Sequence, residues 1–371
     1  MSGILMMIIA IVVLGGAYLL YGRYLQNKWG IDPNAKTPAY ELEDGVDYVP
    51  ADTNVVFGHQ FASIAGAGPI NGPIQAAIFG WLPVLLWILI GGVFFGAVQD
   101  FASMYASVKN KGRTIGYIIE EYIGKLGKKL FLLFCWLFCI LVVAAFADVV
   151  AGTFNGFATS ESGTVTKVVA NGAVATTSML FIVEAVALGF FLKYSKFNKW
   201  VNTAVAVILL VVAIALGLNF PIYVSLDIWH LIIFAYILVA SVTPVWALLQ
   251  PRDYLNSYLL IFMILGAVIG VFVANPACNL EAFTAFSIPD ANGNPQYMFP
   301  ILFVTIACGA VSGFHSLVSS GTASKQIKNE KNMLPVSFGA MLMESMLAIL
   351  ALIAVASFGK GEAAAQGLTT Q

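Results

Sequence analysis

The sequence predicts an all-α membrane protein of about ten transmembrane helices. Of its 371 residues, 60% are hydrophobic and 10% are charged, whereas a soluble domain carries about 25% charged residues. Such a chain cannot cover a water-exposed surface, so lipid has to be the solvent for much of it. Nine apolar stretches are long enough to cross the hydrocarbon core as helices. They are residues 3–22, 81–108, 130–153, 176–193, 200–218, 229–249, 254–275, 299–320 and 337–358.

A tenth span, residues 57–80, is identified by the distribution of basic residues. The stretch is long enough to cross, but it is rich in Gly, Pro, Ser and Asn. Short cytoplasmic loops are enriched in Lys and Arg. If residues 57–80 cross and Lys193 is counted as cytoplasmic, the N-terminus lies outside, and all of the 18 basic residues except Lys167 and Lys360 are cytoplasmic. Without this crossing, the basic residues of the first loop would lie on the opposite side from the others.

This second span is a poor sequence for a continuous helix. Gly66, Gly68, Pro69, Gly72 and Pro73 all fall within it. Proline removes an intrahelical hydrogen bond and glycine lowers helix propensity. Unwound backbone at membrane depth is tolerated only where it is buried in protein or lines a cavity, and transporters bind substrates and ions at such discontinuous helices. We therefore expect a substrate site here; a proline-kinked helix packed through its glycines is the alternative.

The seventh span repeats the interruption. It contains SVTPVW, residues 241–246, and lies five spans after the broken second span. In the ten-span topology the two cross in opposite directions, as inverted repeats require. The predicted substrate-binding residues are Gly66, Gly68, Pro69, Asn71, Gly72, Gln75, Thr243 and Trp246. We expect one membrane domain over residues 1–371, with an extra N-terminal span at 3–22, a first repeat at 57–218 and an incomplete second repeat at 229–358.

Ionisable and hydroxyl side chains inside spans are the candidates for ion coupling, because charges in the membrane are costly. Asp100 lies in the third span, and His315 is the histidine nearest mid-span. The predicted coupling residues are His59, Asp100, His315, Ser316, Ser319 and Ser320. A neutral structural role for His315 and a helix-packing role for each serine are the alternatives. For Glu344 we expect pairing with lysines near the inner face or partial solvation.

No metal, haem or disulfide site is predicted. The four cysteines, Cys135, Cys139, Cys278 and Cys308, lie mostly inside apolar runs and form no CxxC pair. Haem ligation needs paired histidines, and we expect no tight His/Glu/Asp cluster. The alternatives to a carrier are a redox enzyme subunit, which these observations disfavour, and a nutrient sensor. We expect a non-enzyme without cofactors apart from coupling H⁺ or Na⁺, with the lipid bilayer and a small-molecule substrate as partners and no nucleic acid.

Four long stretches resemble the carbon starvation protein A (CstA) family of peptide and pyruvate transporters. They are HQFASIAGAGPINGPIQAAIFGWLP (59–83), GAVQDFASMY (96–105), TPVWALLQPRDYL (243–255) and FHSLVSSGTASKQI (314–327), in the family's order. The resemblance implies a carrier of the amino acid–polyamine–cation superfamily with a five-plus-five inverted-repeat core. It implies import of short peptides or pyruvate across a prokaryotic inner membrane, driven by a proton or sodium gradient. It also implies a longer core, so we expect one core span to be missing here.

Overall fold

The computed structural model describes residues 1–159, 164–194, 199–244, 248–290 and 293–358. Within them the chain is mostly helical and divides into two compact units. The first unit is formed by Met1–Ile118 together with the described residues from Leu260 onward, and the second by Ile119–Leu259.

Seventeen α-helices and two short antiparallel hairpins make up the described part of the chain. The helices are α1 (Gly3–Gly16), α2 (Arg23–Lys28), α3 (Pro38–Glu41), α4 (Thr53–Ile64), α5 (Gly68–Ala76), α6 (Trp81–Ile90), α7 (Val98–Lys109), α8 (Ile115–Tyr122), α9 (Lys125–Phe154), α10 (Val169–Tyr194), α11 (Lys199–Asn219), α12 (Leu226–Val242), α13 (Leu249–Ala274), α14 (Met298–Thr305), α15 (Ala307–Ala310), α16 (Gly313–Gly321) and α17 (Ala340–Ser357). Strand β1 (Phe157–Thr159) pairs with β2 (Val165–Lys167), and β3 (Ser287–Pro289) pairs with β4 (Pro295–Tyr297). Wider π-helical turns follow α1, join α6 to α7 and lead into α17, and they span Ala17–Gly22, Gly91–Ala97 and Leu334–Gly339.

Among the described residues, seven helical stretches are long and apolar enough to cross a membrane. They are Gly3–Lys28, Trp81–Lys109, Lys125–Phe154, Val169–Phe191, Val201–Asn219, Pro251–Ala274 and Glu330–Ser357. Helix α12 is also apolar but shorter. The prediction of a multi-pass helical membrane protein is therefore confirmed. The stretches 57–80 and 299–320 form no continuous helix, because each is divided into shorter helical pieces.

Helix α17 is the central helix of the first unit. It packs against α1, α4, α5 and α6, and it is buried along nearly its whole length. Its neighbours approach through small residues. A Cβ atom on Gly309 would lie 2.7 Å from the Cβ of Ala348, and one on Gly92 would overlap the hydroxyl of Ser345. Backbones that approach through glycine, alanine and serine are typical of helix packing in membranes.

The broken second span consists of α4 and α5, which are separated at residues 65–67. Pro69 stands in the first turn of α5, where its missing N–H costs no helical hydrogen bond. The break therefore lies where the Gly-Ala-Gly-Pro sequence gives the least helix propensity.

The ninth span is also broken, and it packs against the second. Val311 and Ser312 adopt extended backbone between α15 and α16. Helix α5 contacts α14 and α15, and α4 contacts α16. Gly72 makes this approach possible, because a Cβ atom there would overlap the carbonyl oxygen of Thr305. Two interrupted helices thus lie side by side within the first unit.

The segment between α16 and α17 is held to the end of α7 and to the chain between α2 and α4. The Nζ atom of Lys109 lies 2.7 Å and 2.8 Å from the two carboxylate oxygens of Glu330, which is 3% exposed. The amide of Asp32 donates to the same carboxylate at 3.0 Å. Lys328 also pairs with Asp52 at 2.8 Å, on a more exposed part of the surface. These contacts fix the chain on both sides of the paired broken helices.

In the second unit, α9 packs against α10 and α12, and α10 packs against α11. Its polar contacts lie near helix ends. His230 Nε2 lies 3.2 Å from a carboxylate oxygen of Asp148. Arg252 donates to the carboxylate of Asp253 at 2.8 Å and to the hydroxyl of Tyr236 at 2.9 Å. The PRDYL stretch, residues 251–255, thus lies in the first turns of α13, and its arginine is paired.

Candidate functional site

Three ionisable side chains meet beside the broken ninth span. His315 on α16 lies between two carboxylates, with Nδ1 at 3.2 Å from Oδ2 of Asp100 and Nε2 at 3.2 Å from Oε2 of Glu344. Asp100 belongs to α7 and Glu344 to α17. All three side chains are fully buried. The structure therefore brings together the two predicted coupling residues Asp100 and His315 and adds Glu344 to them.

The position of His315 is set by the packing of α16 on α7. The side-chain amide of Gln99 donates to the carbonyl oxygen of Ser312 and to the hydroxyl of Ser316, both at 2.7 Å. These two bonds hold the start of α16 beside Asp100. A Cβ atom on Gly96 would overlap the carbonyl oxygen of Ala310, so this glycine lets the π-helical turn before α7 approach α15, which precedes α16.

This cluster is electrostatically expensive. Burial of an ionised group costs several kcal/mol unless partners compensate it, on the order-of-magnitude scale of buried ion pairs. The contacts of His315 are within ion-pair distance, and among the described residues no amide or hydroxyl group donates to the carboxylate oxygens of Asp100 or Glu344. Buried polar groups in this condition call for an explanation, and function is a common one.

Glu344 corrects two expectations. It is not paired with a lysine or partly solvated but fully buried against His315. The expectation of no tight His/Glu/Asp cluster is wrong for the same reason. The error arose because the three residues come from three different spans, so sequence spacing does not reveal their meeting.

Cys308 lies next to this cluster. Its sulfur and single ligand atoms of His315 and Glu344 all lie within 4.8 Å of one another. The sulfur also contacts the start of α5, because a Cβ atom on Gly68 would lie 2.7 Å from it. These are the described residues that could hold a metal ion, although none was predicted from the sequence.

The predicted serines form hydrogen bonds between helices. Ser319 accepts from the side-chain amide of Gln60 at 2.8 Å, and Ser316 accepts from that of Gln99. Ser320 donates to the carbonyl oxygen of Ser316 within α16 at 2.7 Å, and it accepts from the backbone N–H of Ile115, at the start of α8, at 3.4 Å. All three hydroxyls therefore contribute to packing, which was the alternative interpretation. Their role in ion coupling stays a prediction.

His59, the remaining predicted coupling residue, is 5% exposed and lies on α4 next to Gln60. Gln60 is fully buried, and its side-chain oxygen has no hydrogen-bond partner among the described residues. The start of the broken second span therefore carries buried polar groups of its own, facing α16 through Ser319.

The predicted substrate-binding residues on α5 divide between two faces. Gly68, Pro69 and Gly72 are on the packed face; Gly68 and Gly72 contact Cys308 and the carbonyl of Thr305. In contrast, Gly66, Asn71 and Gln75 are exposed. On the seventh span, the hydroxyl of Thr243 donates to the carbonyl of Val239 at 2.8 Å, and Trp246 lies outside the described residues.

A cavity of about 700 Å³ opens beside the exposed face of α5. It is lined by Gln75, Ala76, Ile78, Phe79, Ile288, Pro289, Asp290, Gln296, Ile301 and Thr305. Small-molecule sites typically have volumes of about 300–1,000 Å³. Gln75 lies about one helical turn from Gly72, and Thr305 both lines the cavity and contacts Gly72. The open face of the broken helix therefore borders a space large enough for a small solute.

Sequence reasoning missed Cys308 and the bridging glutamines Gln60 and Gln99. Cys308 gave no usable signal, because it lies on α15 and His315 on α16, with extended backbone between them, so helical spacing does not explain their meeting. The glutamines gave no signal either, since a single amide in an apolar run does not reveal its partner.

The family model described as "Carbon starvation protein CstA" matches residues 2–368. Among curated proteins, the chain is 38% identical over 360 residues to "Peptide transporter CstA" of Escherichia coli, covering 93% of this chain and 49% of that protein. It is 38% identical over 361 residues to "Pyruvate/proton symporter BtsT" of the same organism, covering 93% and 48%. It is 37% identical over 369 residues to "Peptide transporter CstA" of Bacillus subtilis, covering 95% and 58%.

The chain thus spans about half the length of the curated relatives it matches. No solved structure matches it significantly. The family match covers nearly the whole chain, including the broken helices and the cluster around His315. The chain belongs to the carbon starvation protein CstA family.

Proposed function

We propose that this chain forms part of a secondary active transporter that imports short peptides or pyruvate across a prokaryotic cytoplasmic membrane. The observation that carries the proposal is the pair of broken helices, α4–α5 and α14–α16, with the buried Asp100, His315 and Glu344 beside them. Discontinuous helices and buried charges are the usual elements of a transporter's substrate and ion sites. The names of the relatives support the same substrates.

The coupling ion acts at the buried cluster. His315 and its two carboxylates can gain or lose a proton when water reaches them from one side, because histidine changes charge near neutral pH. Sodium is the alternative, with oxygens of Gln60, Ser319 and the α4–α5 break as ligands. The name "Pyruvate/proton symporter" of one relative favours the proton.

Substrate binds at the exposed face of α5, where Asn71 and Gln75 offer side-chain amides and Gly66 offers backbone. The cavity of about 700 Å³ beside Gln75 is the route to it. Alternating access then requires α5 and the broken ninth span to move relative to each other, which their short, separate pieces permit.

The ten-span topology with the N-terminus outside belongs to the same proposal. The distribution of Lys and Arg supports it, and it places the second and seventh spans in opposite directions, as a five-plus-five inverted repeat requires. Single cysteines at positions 40 and 170, tested with a membrane-impermeant thiol reagent on intact cells, distinguish the sides. The proposal expects position 170 to react and position 40 not to react.

Transport is tested by reconstituting the protein in liposomes and measuring uptake of labelled dipeptide and labelled pyruvate. Imposed proton and sodium gradients are compared with no gradient. The proposal expects accumulation of at least one substrate above equilibrium under one gradient. A correctly folded, full-length protein that accumulates neither substrate under either gradient would refute it.

A further inference from the structure

The cluster of Cys308, His315 and Glu344 has the composition of a transition-metal site. Each residue offers one ligand atom, and the three atoms lie within 4.8 Å of one another. Sulfur, imidazole nitrogen and carboxylate oxygen are all ligands of zinc. Calcium and magnesium instead take six or more oxygens, so this set selects against them.

The distance between two of the three ligand atoms fits a tetrahedral centre. Zinc lies about 2.0–2.2 Å from nitrogen and oxygen ligands, which places two such ligands about 3.4 Å apart in a tetrahedron. Nε2 of His315 and Oε2 of Glu344 are 3.2 Å apart. A metal ion can therefore bridge these two atoms with movements of a few tenths of an ångström, and the sulfur of Cys308 lies within 4.8 Å of both.

Asp100 occupies the position of an orienting residue. Its Oδ2 lies 3.2 Å from Nδ1 of His315, on the side of the ring opposite to Glu344. Histidines that bind metals usually donate their other ring N–H to a carboxylate, which fixes the tautomer and the ring orientation. This arrangement leaves Nε2 as the ligand atom, facing Glu344.

One further observation points to a cation at this position. Among the described residues, no amide or hydroxyl group forms a hydrogen bond with the nitrogens of His315 or with the carboxylate oxygens of Glu344, although all of these atoms are buried.

We propose that Cys308, His315 and Glu344 bind one divalent transition-metal ion of the zinc class, with Asp100 orienting His315 and a fourth position open to water. Because the ligands come from α15, α16 and α17, a bound metal ties the broken ninth span to the central helix. A metal ion that holds the ninth span to α17 therefore arrests transport. This consequence rests on the proposed carrier function.

The binding site is tested with Co²⁺ as a spectroscopic probe on the purified full-length chain in detergent. We expect one Co²⁺ per chain, with an intense near-ultraviolet thiolate band that Zn²⁺ abolishes. Cys308→Ser removes the band, whereas the matched control Cys139→Ser on α9 retains it. Asp100→Asn keeps the band and weakens binding by about 10- to 100-fold, the usual effect of losing an orienting partner.

Absence of a saturable Co²⁺ band, or a band unchanged in Cys308→Ser, would overturn the site; size-exclusion profiles confirm that each variant is folded. Arrest is tested by adding Zn²⁺ to the liposome uptake assay, with inhibition expected for the original chain and lost in Cys308→Ser. If the metal binds but does not inhibit a measurable uptake, the proposed arrest of transport is wrong and the metal site stands. Metal binding without any gradient-driven uptake supports the site and refutes the carrier function instead.

Discussion

Gly72 is the position at which the contact between the two broken spans is most sensitive to one added methyl group. A Cβ atom there would overlap the carbonyl oxygen of Thr305 and lie 3.2 Å from the Cα of Ile306. Both atoms are backbone, so no side chain can rotate away. Overpacking of this kind costs about 1–3 kcal/mol.

The matched control for Gly72→Ala is Gly266→Ala, because Gly266 lies inside α13 and a Cβ atom there meets nothing within 4 Å. Both changes carry a similar gain in helix propensity of up to about 1 kcal/mol. Their difference therefore isolates the steric cost, about 1–3 kcal/mol, or roughly 5- to 150-fold in the unfolding equilibrium.

The assay is unfolding by sodium dodecyl sulfate in mixed micelles, followed by tryptophan fluorescence. We expect Gly72→Ala to unfold at a lower detergent fraction than the original chain and Gly266→Ala at the same or a higher one. Equal stability of the two variants would refute the close packing of α5 on the ninth span.

Three further predictions concern contacts around the site. Lys109→Met leaves the buried Glu330 without its cationic partner and should lower the free energy of unfolding by about 1–3 kcal/mol. Lys328→Met, at a more exposed pair, should lower it by less than about 1 kcal/mol. Equal effects of the two changes in the unfolding assay would contradict this. Gln99→Leu removes the two hydrogen bonds that hold the start of α16 and should cost about 1–3 kcal/mol; an unchanged stability would argue against that anchor. Backbone N–H groups that donate to Asp44 lower the pKa of its carboxyl. The ionised carboxylate therefore stabilises its turn above the unfolded pKa of about 3.9. That stabilisation is lost as pH falls through the folded pKa. Deuterium exchange in residues 44–49, corrected for intrinsic rates, should rise between pH 5 and pH 3, and Asp44→Asn should abolish that step.

The sequence predicted the broken second span because the cause is local. Glycine and proline at positions 66–73 reduce helix formation whatever their surroundings, and the break falls at residues 65–67. The ninth span gave a weaker signal. Its polar string was recognised, but its break at Val311 and Ser312 depends on packing against α5 and α7, which no local propensity expresses.

The site was predicted in part. Asp100 and His315 could be selected because charged and imidazole groups inside apolar spans are rare. Glu344 was expected to pair with lysines near the inner face or to be partly solvated, because it lies only about two turns into its span. The burial of α17 on nearly all sides, which makes such a position impossible, is a property of the assembled unit. Likewise, the packing roles of Gly68 and Gly72 depend on which helix lies opposite them.

The central claim is that the buried cluster around His315 couples an ion gradient to solute movement. Liposomes containing the protein and an internal pH-sensitive dye test it most directly, with no gradient imposed at the start. We expect addition of dipeptide or pyruvate outside to acidify the interior, because each substrate carries a proton with it, and we expect Asp100→Asn to abolish that signal. Substrate entry without acidification, or full acidification in Asp100→Asn, would contradict the proton-coupled form of the account.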